Sequence, residues 1–87
     1  MTVFLLYNKA TAAERSMAGL ASRLEREQVR YELLDADTPR GIAVASDFDV
    51  LARPAIILTS ANGSVQETWT EEDRFPSVAE LAYRDRA

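Results

Sequence analysis

Residues 48–65 are Phe48-Asp49-Val50-Leu51-Ala52-Arg53-Pro54-Ala55-Ile56-Ile57-Leu58-Thr59-Ser60-Ala61-Asn62-Gly63-Ser64-Val65. Ala55 to Thr59 is an apolar run of strand length without alternation, the mark of a strand covered on both faces. A proline just before it is tolerated, because the first position of a strand has little ladder hydrogen bonding to lose. Asn62-Gly63 then supplies the positive φ angles of a tight hairpin turn, which predicts that Val65-Gln66-Glu67-Thr68-Trp69 returns as an antiparallel partner.

Working outward toward the N-terminus, Val3-Phe4-Leu5-Leu6-Tyr7 is a second run of the buried kind and should be a central strand. Thr11-Ala12-Ala13-Glu14 has capping-box spacing, so a helix should begin there, its Thr11 hydroxyl and Glu14 carboxylate satisfying each other's amides. Ala13, Met17, Leu20, Ala21, Leu24 and Gln28 recur at helical spacing and form the face that packs on the sheet. Val29, Tyr31 and Leu33 alternate with Arg30 and Glu32, as in a half-exposed edge strand. Strand, helix and strand make a βαβ unit, whose crossover requires the two strands to be parallel. Thr38-Pro39 opens a second helix reaching about Phe48, with Asp35 and Asp37 placed to serve its start. Ser77-Val78-Ala79-Glu80 repeats the capping spacing ahead of a short C-terminal helix.

The order is therefore β-α-β-α-β-β-α, an α/β chain whose strands 1 and 2 are parallel and strands 3 and 4 antiparallel. The expected core comprises Phe4, Leu6, Met17, Leu20, Leu24, Tyr31, Leu33, Ile56, Leu58, Val65 and Leu81. With 87 residues, no repeat and no linker-like segment, residues 1–87 read as one domain.

Composition removes several kinds of chemistry. The chain has no cysteine and no histidine, so thiol chemistry, disulfides and thiolate or imidazole metal ligation are all excluded. No Ser, Asp and base arrangement is available for nucleophilic catalysis, since histidine is absent and the one lysine, Lys9, sits in a loop, and no enzyme is expected. Ten basic residues against fourteen acidic ones leave a net charge of −4, which repels phosphate backbones unless the cations are segregated, so no nucleic-acid partner is expected. No apolar stretch approaches the roughly 20 residues of a membrane-spanning helix, and no secretory signal precedes the first strand. A cytoplasmic location away from membranes is the resulting expectation. Glu67, Glu71, Glu72 and Asp73 form an acidic run, read as a solvated loop because it lacks the alternating ligands and sharp-turn glycine of a calcium-binding loop.

Taken together, the β-α-β-α-β-β-α order, the Phe48-to-Leu58 segment with its proline and the Asn62-Gly63 hairpin resemble the core shared by thioredoxins and glutaredoxins. Small glutaredoxin and redoxin domains are the nearer likeness, since no extra N-terminal strand and helix precede the core. Tyr7-Asn8-Lys9-Ala10-Thr11 is similar to the Tyr-Ser-Lys-Pro-Thr-like segment that leads into Cys-x-x-Cys in glutaredoxins. On that register Ala12 and Arg15 occupy the cysteine positions. The resemblance implies a thioredoxin-like fold, a four-stranded mixed sheet in the order 2-1-3-4 with flanking helices, and a cis bond at Arg53-Pro54, beside which the family pairs its main chain with an extended substrate or with glutathione. A trans proline at a strand's first residue is the plainer alternative.

The resemblance thus implies a redox-inactive thioredoxin-like domain that acts as a protein- or peptide-interaction module without a cofactor, its binding residues being Lys9, Thr11, Ala12, Arg15, Arg53 and Pro54. A second reading is non-catalytic binding of glutathione or another small anion by Lys9, Arg15, Arg53 and the amides of Ala12 to Glu14. Against glutathione, Trp69-Thr70-Glu71-Glu72-Asp73 lacks the glycines of the family's ligand-binding turn. A third is a signalling adaptor resembling KaiB, on the strength of Leu51-Ala52-Arg53-Pro54, against which the Asn62-Gly63 hairpin argues. Trp69, on the outer strand, marks an edge that could recruit another chain.

Overall fold

A computed structural model describes residues 1–86. Its elements run β1 (Thr2–Tyr7), α1 (Ala12–Arg26), β2 (Tyr31–Asp35), α2 (Pro39–Asp47), β3 (Ala55–Thr59), β4 (Val65–Trp69), a 3-10 turn (Glu72–Arg74) and α3 (Val78–Arg86). The four strands form one sheet in the order β2-β1-β3-β4. β1 runs parallel to β2, with Leu5 opposite Leu33, and antiparallel to β3, with Phe4 opposite Ile57. β3 and β4 close an antiparallel hairpin. The two unbroken apolar runs thus lie in the two central strands.

Because successive side chains on a strand point to opposite faces, β1 feeds two cores. Val3 and Leu5 join Met17, Ala21, Leu24, Ile56, Leu58, Trp69 and Leu81 beneath α1 and α3. Phe4 and Leu6 join Leu34, Val44, Ala45, Val50 and Ile57 beneath α2. Phe4 and Phe48 stack at a tilt of 45° with ring centroids 5.6 Å apart, closing the α2 layer at its C-terminal end.

Local chemistry differs from the sequence expectation in several places. Val65, expected in the core, is 44% exposed, because a bulge between Leu58 and Thr59 shifts the register at the hairpin mouth. Leu20, Tyr31 and Leu33 are only partly buried against the α1 core; β2 is an edge strand and leaves its side chains partly open. The hairpin is longer than a two-residue turn. Only Gly63 takes a positive φ, of 88°, within a loop closed by the Ser60 amide on the Ser64 carbonyl at 2.8 Å and the Gly63 amide on the Ser60 carbonyl at 3.0 Å. Asn62 contributes its side chain instead, accepting from the Ser64 amide at 3.1 Å and from the Ser60 hydroxyl.

The helix caps divide in the same way. Thr38 accepts from the Gly41 amide at 3.1 Å and Ser77 from the Glu80 amide at 3.1 Å, as their spacings predict. The Thr11 box does not form. Ala10 is in the left-handed region at φ 61°, and its amide, not that of Thr11, takes the Glu14 carboxylate at 2.8 Å. Asp35 accepts from the Asp37 amide at 3.0 Å through its carboxylate and from the Thr38 hydroxyl at 2.7 Å through its carbonyl. It therefore organises the approach to α2 from outside the helix.

Candidate functional site

The end of β1 and the start of α1 are joined by a short, tightly bonded loop. The Thr11 hydroxyl, free of the capping role, donates to the Asn8 carbonyl at 2.6 Å, while the Glu14 amide bonds back to the Thr11 carbonyl at 3.1 Å. Of the three amides expected to be open at the helix start, Glu14's is thereby used, and those of Ala12 and Ala13 remain without an intrahelical partner.

Facing this loop is the segment from α2 into β3. Its near end is held by the Val50 amide on the Ala45 carbonyl at 2.8 Å, with Asp49 in the left-handed region at φ 56°. Leu51 is 87% exposed. The Arg53-Pro54 peptide bond is cis. Among the described residues, no main-chain hydrogen bond uses the amides or carbonyls of residues 51–53.

Between the two segments lies a groove of about 290 Å³ lined by Asn8, Thr11, Ala12, Ala13, Arg53, Pro54 and Glu72. Four of the sequence-derived residues, Thr11, Ala12, Arg53 and Pro54, meet there. Lys9 is exposed and does not line it, and Arg15 lies around the helix in a separate depression with Thr11, Glu14 and Ala18. The expected convergence of three cations is therefore reduced to one. α1 turns about 100° per residue, so Arg15 stands away from the face that carries Ala12 and Ala13 to the groove.

Sequence reasoning missed Asn8 and Glu72 as lining residues and named Ala13 only for its amide. The acidic run after β4 was the available signal for Glu72, but only the path of the 3-10 turn brings that carboxylate to the α1 end of the molecule. Neither Arg53 nor Glu72 forms an ion pair among the described residues. The groove thus offers one free charge of each sign, two helix amides and the Thr11 oxygen. Asn8 adds a buried side-chain oxygen that has no hydrogen-bond donor. Two other acids of the run are paired elsewhere, Glu67 with Arg84 and Glu71 with Arg74 at 3.6 Å. Among the described residues no group of acids is arranged to hold a metal ion, and no helix is long and apolar enough to cross a membrane.

Among solved structures, thioredoxin 1 from the thermophilic eubacterium Thermosipho africanus TCF52B superposes with a TM-score of 0.68 at 12% identity, over 95% of this chain and 88% of that chain. The fold is thioredoxin-like. A structure described as that of a malarial protein is equally similar, with a TM-score of 0.68 at 17% identity over 99% of this chain and 97% of the other. No protein-family model and no curated protein sequence matches the chain. In this thioredoxin-like domain, Ala12 and Arg15, which the sequence register aligns with the cysteines of Cys-x-x-Cys, are in the first turn of α1, and the chain carries no thiol anywhere.

Proposed function

We propose that the protein is a redox-inactive, non-enzymatic interaction module that binds an extended peptide segment of a partner along residues 51–54, with the adjoining groove taking one of the segment's side chains. The observation that carries this reading is the groove of Asn8, Thr11, Ala12, Ala13, Arg53, Pro54 and Glu72 beside a main-chain stretch with open hydrogen-bonding groups. An extended partner would satisfy those groups as an added strand does at a sheet edge. A methyl group at position 12 gives the groove a shape without a nucleophile, and neither cofactor nor metal enters this reading.

Binding of glutathione or another small anion is the second reading, supported by Arg53 and the open amides of Ala12 and Ala13. Glu72 in the same groove weighs against it. The β3–β4 hairpin likewise weighs against a KaiB-like adaptor, for the reason given by its sequence.

Chemical-shift mapping of the labelled protein with glutathione and with extended peptides tests these readings. A peptide that binds as proposed moves the amides of Thr11, Ala12, Leu51 and Arg53. Arg53→Ala then weakens an acidic peptide no more than about five-fold, and more at low salt, because an exposed charge contact is worth about 0–1 kcal/mol. Shifts confined to Trp69 and β4 would sink the proposal and assign the function to the edge strand.

A further inference from the structure

Asn8-Lys9-Ala10-Thr11, which carries β1 into α1, holds one residue in a conformation that its chemistry disfavours. Ala10 has φ 61°, the left-handed region, where a Cβ crowds the following carbonyl and which glycine, asparagine and aspartate visit far more readily than alanine. A turn that needs a positive φ at its third position takes glycine or asparagine there, and this one has alanine. Its ends are closed by the Thr11 hydroxyl, which donates to the Asn8 carbonyl at 2.6 Å.

Glu14 supplies the compensation. Its carboxylate accepts from the Ala10 amide at 2.8 Å, and it forms no ion pair among the described residues, although Arg15 is its neighbour in the chain. The bond is available only while the left-handed turn aims the Ala10 amide back at α1. A carboxylate one turn into the helix thus holds a strained residue outside it.

This arrangement decides which donors the groove presents. Thr11 is the N-cap of α1, with the extended backbone that suits a cap (φ −117°, ψ 165°), yet its side chain caps nothing, being turned to Asn8 instead. The Ala13 amide therefore stays open, and Thr11 and Ala13 both line the groove. If Ala10 relaxes to a negative φ, the turn opens and the Asn8 carbonyl leaves the reach of the Thr11 hydroxyl. The hydroxyl oxygen then finds the second amide of the helix, that of Ala13, which is the usual partner of an N-cap threonine. The loop has two hydrogen-bond arrangements: one offers the Ala13 amide to a ligand and the other uses it within the protein.

We infer that Glu14 is a positioning residue which, by holding Ala10 in the left-handed region, keeps the groove in its binding form. The use of the groove rests on the reading proposed above, whereas the two arrangements belong to the free protein. A ligand that accepts from the Ala13 amide favours the open arrangement, so occupancy and the conformation of Ala10 are linked.

Amide hydrogen exchange of the labelled full chain, without ligand, tests the device. Glu14→Ala should speed exchange at Ala10 and slow it at Ala13, each by about three- to ten-fold, as loss and gain of one hydrogen bond require. Simple fraying of the helix start would speed both. Glu14→Gln should keep the wild-type pattern, because a carboxamide oxygen also accepts from the Ala10 amide. Ala10→Gly added to Glu14→Ala should restore the open Ala13 amide, since glycine holds a positive φ unaided, and Thr11→Ala added to Glu14→Ala should abolish the slowing by removing the hydroxyl. An unchanged or faster Ala13 amide in Glu14→Ala, or failure of Glu14→Gln to match wild type, would overturn the inference. Titration of the same variants with glutathione and extended peptides reports separately on the groove: absence of any shift at Thr11, Ala12 and Arg53 alongside the expected exchange pattern would sink the groove reading and with it the use assigned to the device. Binding that Glu14→Ala leaves untouched would sink the positioning role alone.

Discussion

Two glycines in helices show how a single residue is governed by what lies beside it. A Cβ added at Gly41 would stand 2.1 Å from the Asp35 carbonyl oxygen. That oxygen cannot readily retreat, since it accepts from both the Thr38 amide at 3.1 Å and the Thr38 hydroxyl at 2.7 Å. Gly41→Ala should therefore push α2 off the end of β2 and destabilise the protein by about 1–3 kcal/mol, the usual range for overpacking. Gly19→Ala should do the reverse, adding up to about 1 kcal/mol through helix propensity, because its Cβ enters open space. Urea denaturation of both variants measures the pair, and equal effects of the same sign would show that local packing does not decide them. A reader of the sequence sees two identical residues in two helices. Only the path of the chain before α2 distinguishes them.

Between elements, the clearest electrostatic link joins the edge strand to the helix that follows it. Arg40 of α2 donates to Glu32 of β2 through Nε at 3.0 Å and Nη2 at 2.8 Å. Those hydrogen bonds chiefly, with the charge attraction of Arg40 a lesser contribution, lower the pKa of the Glu32 carboxyl against the opposing effect of partial burial. A carboxyl with a lowered native pKa binds fewer protons folded than unfolded. Its stabilisation is accordingly present above the unfolded value of about 4.3 and is lost as pH falls through the native one. The stability difference between wild type and Glu32→Gln should be small at neutral pH and vanish on acidification; a difference that grew in acid would contradict this assignment. The pair illustrates where sequence reading reached its limit. Element order and the directions within the β1–β2 and β3–β4 pairs were legible because hydrophobic period and the Thr38 and Ser77 caps are local signals, whereas the sheet order followed from the resemblance. Exposure of Val65, the shifted partner of Glu14 and the meeting of Glu72 with Arg53 and Pro54 were not, because each depends on a bulge, a left-handed residue or a turn whose consequence appears several residues away. Four of the six residues expected to bind, Thr11, Ala12, Arg53 and Pro54, line one groove because they flank elements whose order was legible. Lys9 and Arg15 do not, because Lys9 lies exposed in the loop before α1 and Arg15 is turned around the helix from the Ala12–Ala13 face.

At the scale of the whole molecule, the fold is thioredoxin-like and the chain carries no thiol. Ala12 and Arg15 are three residues apart in the first turn of α1, where side chains at i and i+3 stand about 5–6 Å apart at Cβ. A disulfide needs about 3.5–4.5 Å, a gap that a modest adjustment at the exposed end of a helix can close. The open amides of Ala12 and Ala13 and the positive end of the helix would favour a thiolate there. Wild-type protein should reduce insulin disulfides no faster than a dithiol-only blank. The Ala12→Cys and Arg15→Cys double variant should form an intramolecular disulfide on oxidation, and its position-12 thiol should titrate below the ordinary range of about 8.5. Turnover of insulin by the double variant would follow only if substrate also binds at residues 51–54, so thiol titration and turnover report on different parts of the site. A lowered thiol pKa without turnover would mean that the helix start retains its electrostatics while the neighbouring groove does not accept an extended disulfide-bearing segment. A thiol of unshifted pKa would remove the claim that the helix start is electrostatically prepared, and reduction of insulin by the cysteine-free wild type would overturn the assignment of this domain as redox-inactive.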